Sequence, residues 1–190
     1  MAAERGAAEP SLVPDREVFG AYTHEEIWEL VRETLDPAAL GAAAESWRRH
    51  AELIDRAFRA FAANTEAELA HWTGPVADQT RRVTRDFVAR GLAAAATCAA
   101  LHRLMASNAE AAQSIRGALL PPPAPYRPLP DPAAEAVHGG RRRMEHDLEA
   151  AAALADARDV MTYVYNATLP ASGDRVPRFA PAPESGGGRR

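Results

Sequence analysis

The strongest constraint on the fold is an unusually long apolar repeat in the first half of the chain. Its members follow alternating steps of four and three residues, which is the spacing of a coiled-coil seam. They are Leu40, Ala44, Trp47, Ala51, Ile54, Phe58, Phe61, Thr65, Glu68 and Trp72. A continuous helix from Pro37 to Trp72 would be roughly 50 Å long, so it would require another helix along its whole length.

A second long helix is predicted to return antiparallel to the first. Gly74 can adopt the left-handed conformation that ends a helix, and Pro75 can open the next one. The apolar repeat then resumes with Val76, Thr80, Val83 and Phe87 and, after a shift of one position, with Gly91, Ala94, Cys98, Leu101, Met105, Ala112, Ile115 and Leu119. The sequence therefore predicts a helical hairpin over residues 21–120. Its packing residues are Trp47, Ile54, Phe58, Phe61 and Phe87.

The composition favours an all-α fold with further helices around this hairpin. Alanine supplies much of the 47% hydrophobic content and aromatic residues only 6%, which disfavours β-sheets. A short helix is predicted from Thr23 to about Asp36, and one or two helices over residues 132–169 complete a bundle. A proline-rich connector, residues 121–131, separates them from the hairpin. Residues 1–20 and 170–190 lack periodicity and are predicted to be disordered.

Charge and hydropathy exclude some classes of partner. The net charge is −4, so we expect no nucleic-acid binding, although the basic residues are all arginine. No window approaches the ~20 apolar residues that a membrane span requires, so stable membrane insertion is not expected. The first 14 residues carry no apolar stretch typical of a Sec signal peptide.

Two Glu-x-x-His pairs are the main candidates for metal chemistry. Glu68 with His71, and Glu135 with His138, place a carboxylate and an imidazole on one helix face, as in di-iron bundles. A di-iron site also requires two further carboxylates near the middle of the helices, whereas both pairs abut glycine-containing breaks. We therefore predict no metal and no cofactor, with a helical-bundle metalloprotein as an alternative.

Catalytic motifs give no support for an enzyme. The sequence contains no glycine-rich phosphate loop and no nucleophile elbow. No set of Ser, His and Asp residues has a local context that suggests catalysis. We therefore expect a protein that is not an enzyme.

The Trp72-Thr73-Gly74 turn between two long helices resembles the PPE-family proteins and the wider WXG-type substrates of type VII (ESX) secretion in actinobacteria. The resemblance covers about residues 22–179. It includes Trp47, the proline-rich break, and a late helix with residues 156–161 followed by residues 176–179. It implies export as a folded, usually paired, helical bundle. It also implies that Trp72 and Gly74 form a recognition surface together with a Tyr-x-x-x-Asp/Glu signal.

The late helix departs from the family pattern. Tyr163 and Tyr165 are followed four positions later by Ala167 and Leu169, so the Tyr-x-x-x-Asp/Glu signal is missing. The resemblance then implies a heterodimer with a small helical PE-like or WXG-type protein that supplies the signal to the type VII machinery. The chain would be cytoplasmic before export and secreted or cell-surface afterwards. Self-association into a ring or filament is the alternative assembly.

Overall fold

The computed structural model describes residues 16–181, and it is 81% helical with no strand in that range. The predicted disorder of residues 1–15 and 182–190 lies outside the described residues. The helices are α1 (His24–Thr34), α2 (Pro37–Leu69), α3 (Pro75–Ala118), α4 (Pro132–Asp159) and α5 (Asn166–Ser172). A π-helical stretch, Val160–Tyr165, joins α4 to α5, and single 3₁₀ turns lie at Phe19–Ala21 and Gly173–Arg175. The predicted all-α fold is confirmed.

Three helices begin at side-chain caps. The Thr23 hydroxyl accepts a hydrogen bond from the Glu26 N–H (3.2 Å), and the Glu26 carboxylate accepts one from the Thr23 N–H (2.7 Å). Asp36 and Asp131 each accept a hydrogen bond from the N–H two residues later, at 2.9 and 3.0 Å, and each is followed by proline. These caps satisfy N–H groups that the first turn of a helix leaves without partners.

The described residues divide into two compact units. The first unit, residues 16–38 and 107–175, is a small bundle of α1, the last part of α3, α4 and α5. Its buried core is formed by Phe19, Ile27, Val31, Ile115, Leu119, Ala157 and Met161. These side chains come from the first 3₁₀ turn, α1, the end of α3, α4 and the π-helical stretch, and burial of such apolar side chains is the main favourable contribution to folding.

Residues near both ends of the first unit contact its interior. Phe19 is 1% exposed and packs edge-on against Tyr165, with ring centroids 5.7 Å apart. At the other end, the Asn108 side-chain amide donates to the hydroxyl of buried Ser172 (2.9 Å). Phe19 and Ser172 are thus buried anchors for residues 16–20 and 170–175, and the Asn166 side-chain amide also donates to the Glu17 carbonyl (2.9 Å). An anchor of this kind produces no periodic pattern, so sequence periodicity gives no sign of it.

A carboxylate of α4 helps to hold the proline-rich connector against that helix. Glu135 accepts hydrogen bonds from the Tyr126 hydroxyl (2.8 Å) and from the Leu129 N–H (2.8 Å). A Cβ on Gly139 would lie 2.2 Å from the nearer carboxylate oxygen, so this glycine makes room for the Glu135 side chain. The glycine pair that suggested a break in the helix therefore lies within a continuous α4.

The second unit, residues 39–106 and 176–181, contains the antiparallel hairpin of α2 and α3. Its most buried residues are mostly small: Ala44, Ala51, Leu69, Ala77, Gly91, Ala95, Cys98, Leu101 and Leu104. The imidazole of His102 hydrogen-bonds to the Ala44 carbonyl across the hairpin (3.0 Å). Small side chains allow the two backbones to approach closely, so the hairpin is held by contact along its length.

The register of the hairpin near its turn differs from the predicted one. Val76 is 73% exposed and Val83 is also exposed, whereas Ala77 is buried. On α2, Leu69 is buried in place of the predicted Glu68. In this part of α3 the face that contains Ala77, Thr84 and Val88 is the more buried one, and the neighbouring face with Val76 and Val83 is exposed.

None of the described helices is both long enough and apolar enough to cross a bilayer.

Candidate interaction site at the hairpin turn

The turn between α2 and α3 has a defined backbone conformation. The Trp72 N–H donates to the Leu69 carbonyl (3.0 Å), and the Asp78 N–H donates to the Gly74 carbonyl (3.2 Å). Gly74 has φ +96°, a region that residues with a Cβ rarely adopt. No atom lies within 4 Å of the position that a Cβ on Gly74 would take, so the backbone angle and not the available space demands glycine here.

An arginine of α3 fixes the end of α2. The Arg81 guanidinium donates from Nη2 to the carbonyl oxygens of Leu69 (2.6 Å) and Trp72 (2.9 Å). Its Nη1 lies 3.3 Å from the Asp78 carboxylate. The last carbonyls of a helix lack intrahelical partners, so a cation at this place both satisfies them and offsets the negative end of the helix dipole. The sequence prediction missed Arg81 because it followed only apolar spacing.

Trp72 stands on this fixed turn with 54% of its surface exposed. An exposed tryptophan combines a large apolar ring with a hydrogen-bond donor, and this residue type is enriched among the side chains that dominate binding energy at interfaces. Because the Trp72 carbonyl is held by Arg81, the residue's backbone is ordered before any partner arrives. The turn therefore presents a preorganised aromatic side chain.

Beside the turn, α3 carries an exposed row of apolar residues that we call the tip row: Val76, Val83 and Phe87. Their spacing of seven and four residues places them on one helix face. Phe87 is 45% exposed and contacts Phe61 of α2, with ring centroids 5.5 Å apart. The aromatic packing that the sequence predicts across the hairpin is thus present, but it lies at the surface.

The other predicted packing residues lie farther from the turn and are half-buried. They are Trp47, Ile54 and Phe58. The Phe58 ring contacts Phe87 at a centroid distance of 5.1 Å, and Trp47 lies edge-on to His50 at 6.0 Å. The larger apolar side chains of the hairpin, including the tip row, are thus partly or largely exposed, whereas its buried seam contains mostly small residues.

The candidate metal ligands do not converge within the described residues. Residues 16–181 contain no group of three or more His, Cys, Asp or Glu side chains arranged to hold a metal ion. Glu68 and His71 are exposed near the turn, while Glu135 is engaged in fastening the connector. Burial raises the pKa of the Cys98 thiol, which disfavours the reactive thiolate.

Comparison of the chain with protein-family models, with curated proteins and with solved structures finds no match.

Proposed function

We propose that this chain is a non-enzymatic helical protein of the PPE/WXG type, recognised by a type VII secretion system as a paired helical bundle. The observation that carries the proposal is the exposed Trp72 on an ordered Trp-x-Gly turn. The hairpin fold agrees with this proposal, and the sequence resemblance covers most of the described residues. Export through this route would deliver the protein to the outside of the cell or to its surface.

The tip row supports the presence of a protein partner. Val76 is 73% exposed, and Val83 and Phe87 continue the same face toward the middle of α3. Large apolar residues exposed along one helix face cost solubility unless another surface covers them. A partner that covers the row would remove it from water, and Trp72 at its end would add an anchoring aromatic contact.

The spacing of the tip row indicates that the partner is helical. Steps of seven and four residues match the seam of a coiled coil, in which each apolar side chain inserts between four residues of a facing helix. A small helical PE-like or WXG-type protein has this shape, and it would supply the Tyr-x-x-x-Asp/Glu signal that the late helix lacks. A second copy of this chain would meet the same geometric requirement, which makes self-association the competing assembly.

Secretion of point variants tests the proposal. Trp72→Ala should leave the far-UV circular dichroism spectrum unchanged, because the side chain is largely exposed, and should abolish export from cells that carry a type VII system. Tyr163→Ala is the matched control, since Tyr163 is an even more exposed aromatic residue outside the hairpin. Export of Trp72→Ala at the level of the control would contradict the proposed role.

A further inference from the structure

A shallow groove on the hairpin, separate from the turn, is built around two aromatic rings. We call it the aromatic groove; it is lined by Phe58, Phe87, Arg90, Gly91 and Ala94. The Phe58 and Phe87 rings meet at a centroid distance of 5.1 Å. The Phe58 ring also occupies the space where a Cβ on Gly91 would lie, only 2.2 Å from that position. The absence of a side chain at Gly91 therefore shapes the groove.

A segment from the end of the described chain completes this cavity. Phe179, Ala180 and Pro181 line it together with the hairpin residues, and a half-open space of about 260 Å³ remains between them. The segment Val176–Pro181, which we call the C-terminal strap, belongs to the same compact unit as the hairpin. The first residues of the strap are half-buried, whereas Phe179 is 48% exposed. Phe179 therefore keeps about half of its surface in solvent while it lines the cavity.

The composition of the strap suits binding in an extended conformation. Pro177 and Pro181 each fix one backbone angle and bias the preceding residue away from helix. A segment that is already extended loses less conformational entropy when it enters a groove. Residues 179–181 therefore form a stiff apolar unit, and the groove offers aromatic rings against which this unit can pack.

We propose that the aromatic groove is a binding site for an extended Phe-Ala-Pro segment and that the C-terminal strap occupies one side of it in cis. The binding site itself does not depend on the proposed function, whereas the competition with a partner that follows from it does. Phe87 belongs both to the groove and to the tip row, so a partner helix that packs on the tip row competes with the strap for the same ring. The strap would then lower the affinity of the hairpin for its partner until it is displaced.

The test measures whether the groove of the full-length chain accepts the strap in trans. The probe is a fluorescein-labelled peptide of residues 174–181, and its binding is followed by fluorescence anisotropy. Phe179→Ala in the full-length chain removes the anchor and vacates the groove. We expect this variant to bind the peptide at least about tenfold more tightly than the unmodified chain does, because a tethered segment competes at a high effective concentration.

Further variants locate the bound peptide. In the Phe179→Ala background, Phe87→Ala should abolish binding because it removes one wall of the groove. Ala94→Leu fills the groove, leaves both rings in place and should also abolish binding. It replaces Phe87→Ala in the test if that variant does not fold. A peptide with Phe179 replaced by Ala should fail to bind. Val137→Ala, a change at an exposed residue of α4, is the control and should leave the difference between the two chains unchanged.

Two results would overturn the proposal. One is equal peptide binding, or none, by the unmodified chain and by Phe179→Ala. The other is a dimer of the unmodified chain that Phe179→Ala dissociates, which would place the strap in the groove of a second copy. Neither experiment involves the secretion partner. A negative result here therefore does not affect the proposed role of Trp72 in secretion, and normal export of Trp72→Ala would not affect the proposed binding site in the groove.

Discussion

Replacing Gly91 with alanine tests how α2 and α3 pack. In the middle of a helix, Gly→Ala normally stabilises by about 1 kcal/mol, because alanine has the higher helix propensity. At Gly91 the new Cβ would lie 2.2 Å from the Phe58 ring, which must therefore withdraw by roughly 1 Å or more to reach normal contact distance. Overpacking of this kind costs about 1–3 kcal/mol.

The net expectation for Gly91→Ala is a destabilisation of up to about 2 kcal/mol, since most of the range for the cost of overpacking exceeds the gain in helix propensity. Gly41→Ala on α2 is the matched control, because nothing lies within 4 Å of its new Cβ. It should stabilise by up to about 1 kcal/mol. The two free energies of unfolding are measured by urea denaturation followed at the helical circular dichroism band. If Gly91→Ala is as stable as Gly41→Ala, the close contact with Phe58 does not exist in solution.

Three further predictions concern the turn and the connector. Arg81→Ala should reduce the free energy of unfolding by about 1.5 kcal/mol, because it removes charge-assisted hydrogen bonds to two carbonyl oxygens. Arg82→Ala removes only hydrogen bonds to the Gln79 side chain, so it should be nearly neutral in the same urea titration. Equal effects of the two variants would refute the role of Arg81 at the turn. Gly74→Ala should cost about 1–2 kcal/mol because of its positive φ, and Gly74→Asn should cost less; the reverse order in thermal melts would contradict the assigned backbone. The hydrogen bond to the Ala124 carbonyl is the main cause that raises the pKa of His146 above its ordinary 6.5. The protonated His146 therefore contributes its full stabilisation below pH 6.5, and this stabilisation is lost as the pH rises through the raised pKa. His146→Gln should lack this loss when stability is measured from pH 5 to about 9, and an identical pH profile would show that the contact is absent.

Local signals made the helix boundaries predictable from sequence. Thr23, Asp36 and Asp131 cap helices with their own side chains, so a few neighbouring residues suffice to recognise each start. Gly74 marks the turn between α2 and α3 for an equally local reason, since its positive φ favours glycine. The all-α fold follows from these signals together with the length of the apolar repeat.

The register at the turn was not predictable in the same way. Val76 and Ala77 occupy adjacent positions, and periodicity alone cannot decide which of two neighbouring faces packs on α2. The structure buries Ala77, because the smaller residue permits closer approach of the helices. Arg81 was missed because its role depends on carbonyl groups that approach it only after the hairpin has folded. The exposed tip row is visible only once this choice of face is known.

The mass of the purified chain in solution decides whether the hairpin is recognised as one half of a helical pair. The mass is measured by light scattering for the chain alone and after mixing with the small helical proteins encoded beside its gene. We predict a stable one-to-one complex that Trp72→Ala weakens. A monomer or homo-oligomer that ignores every such neighbour would rule out the paired assembly.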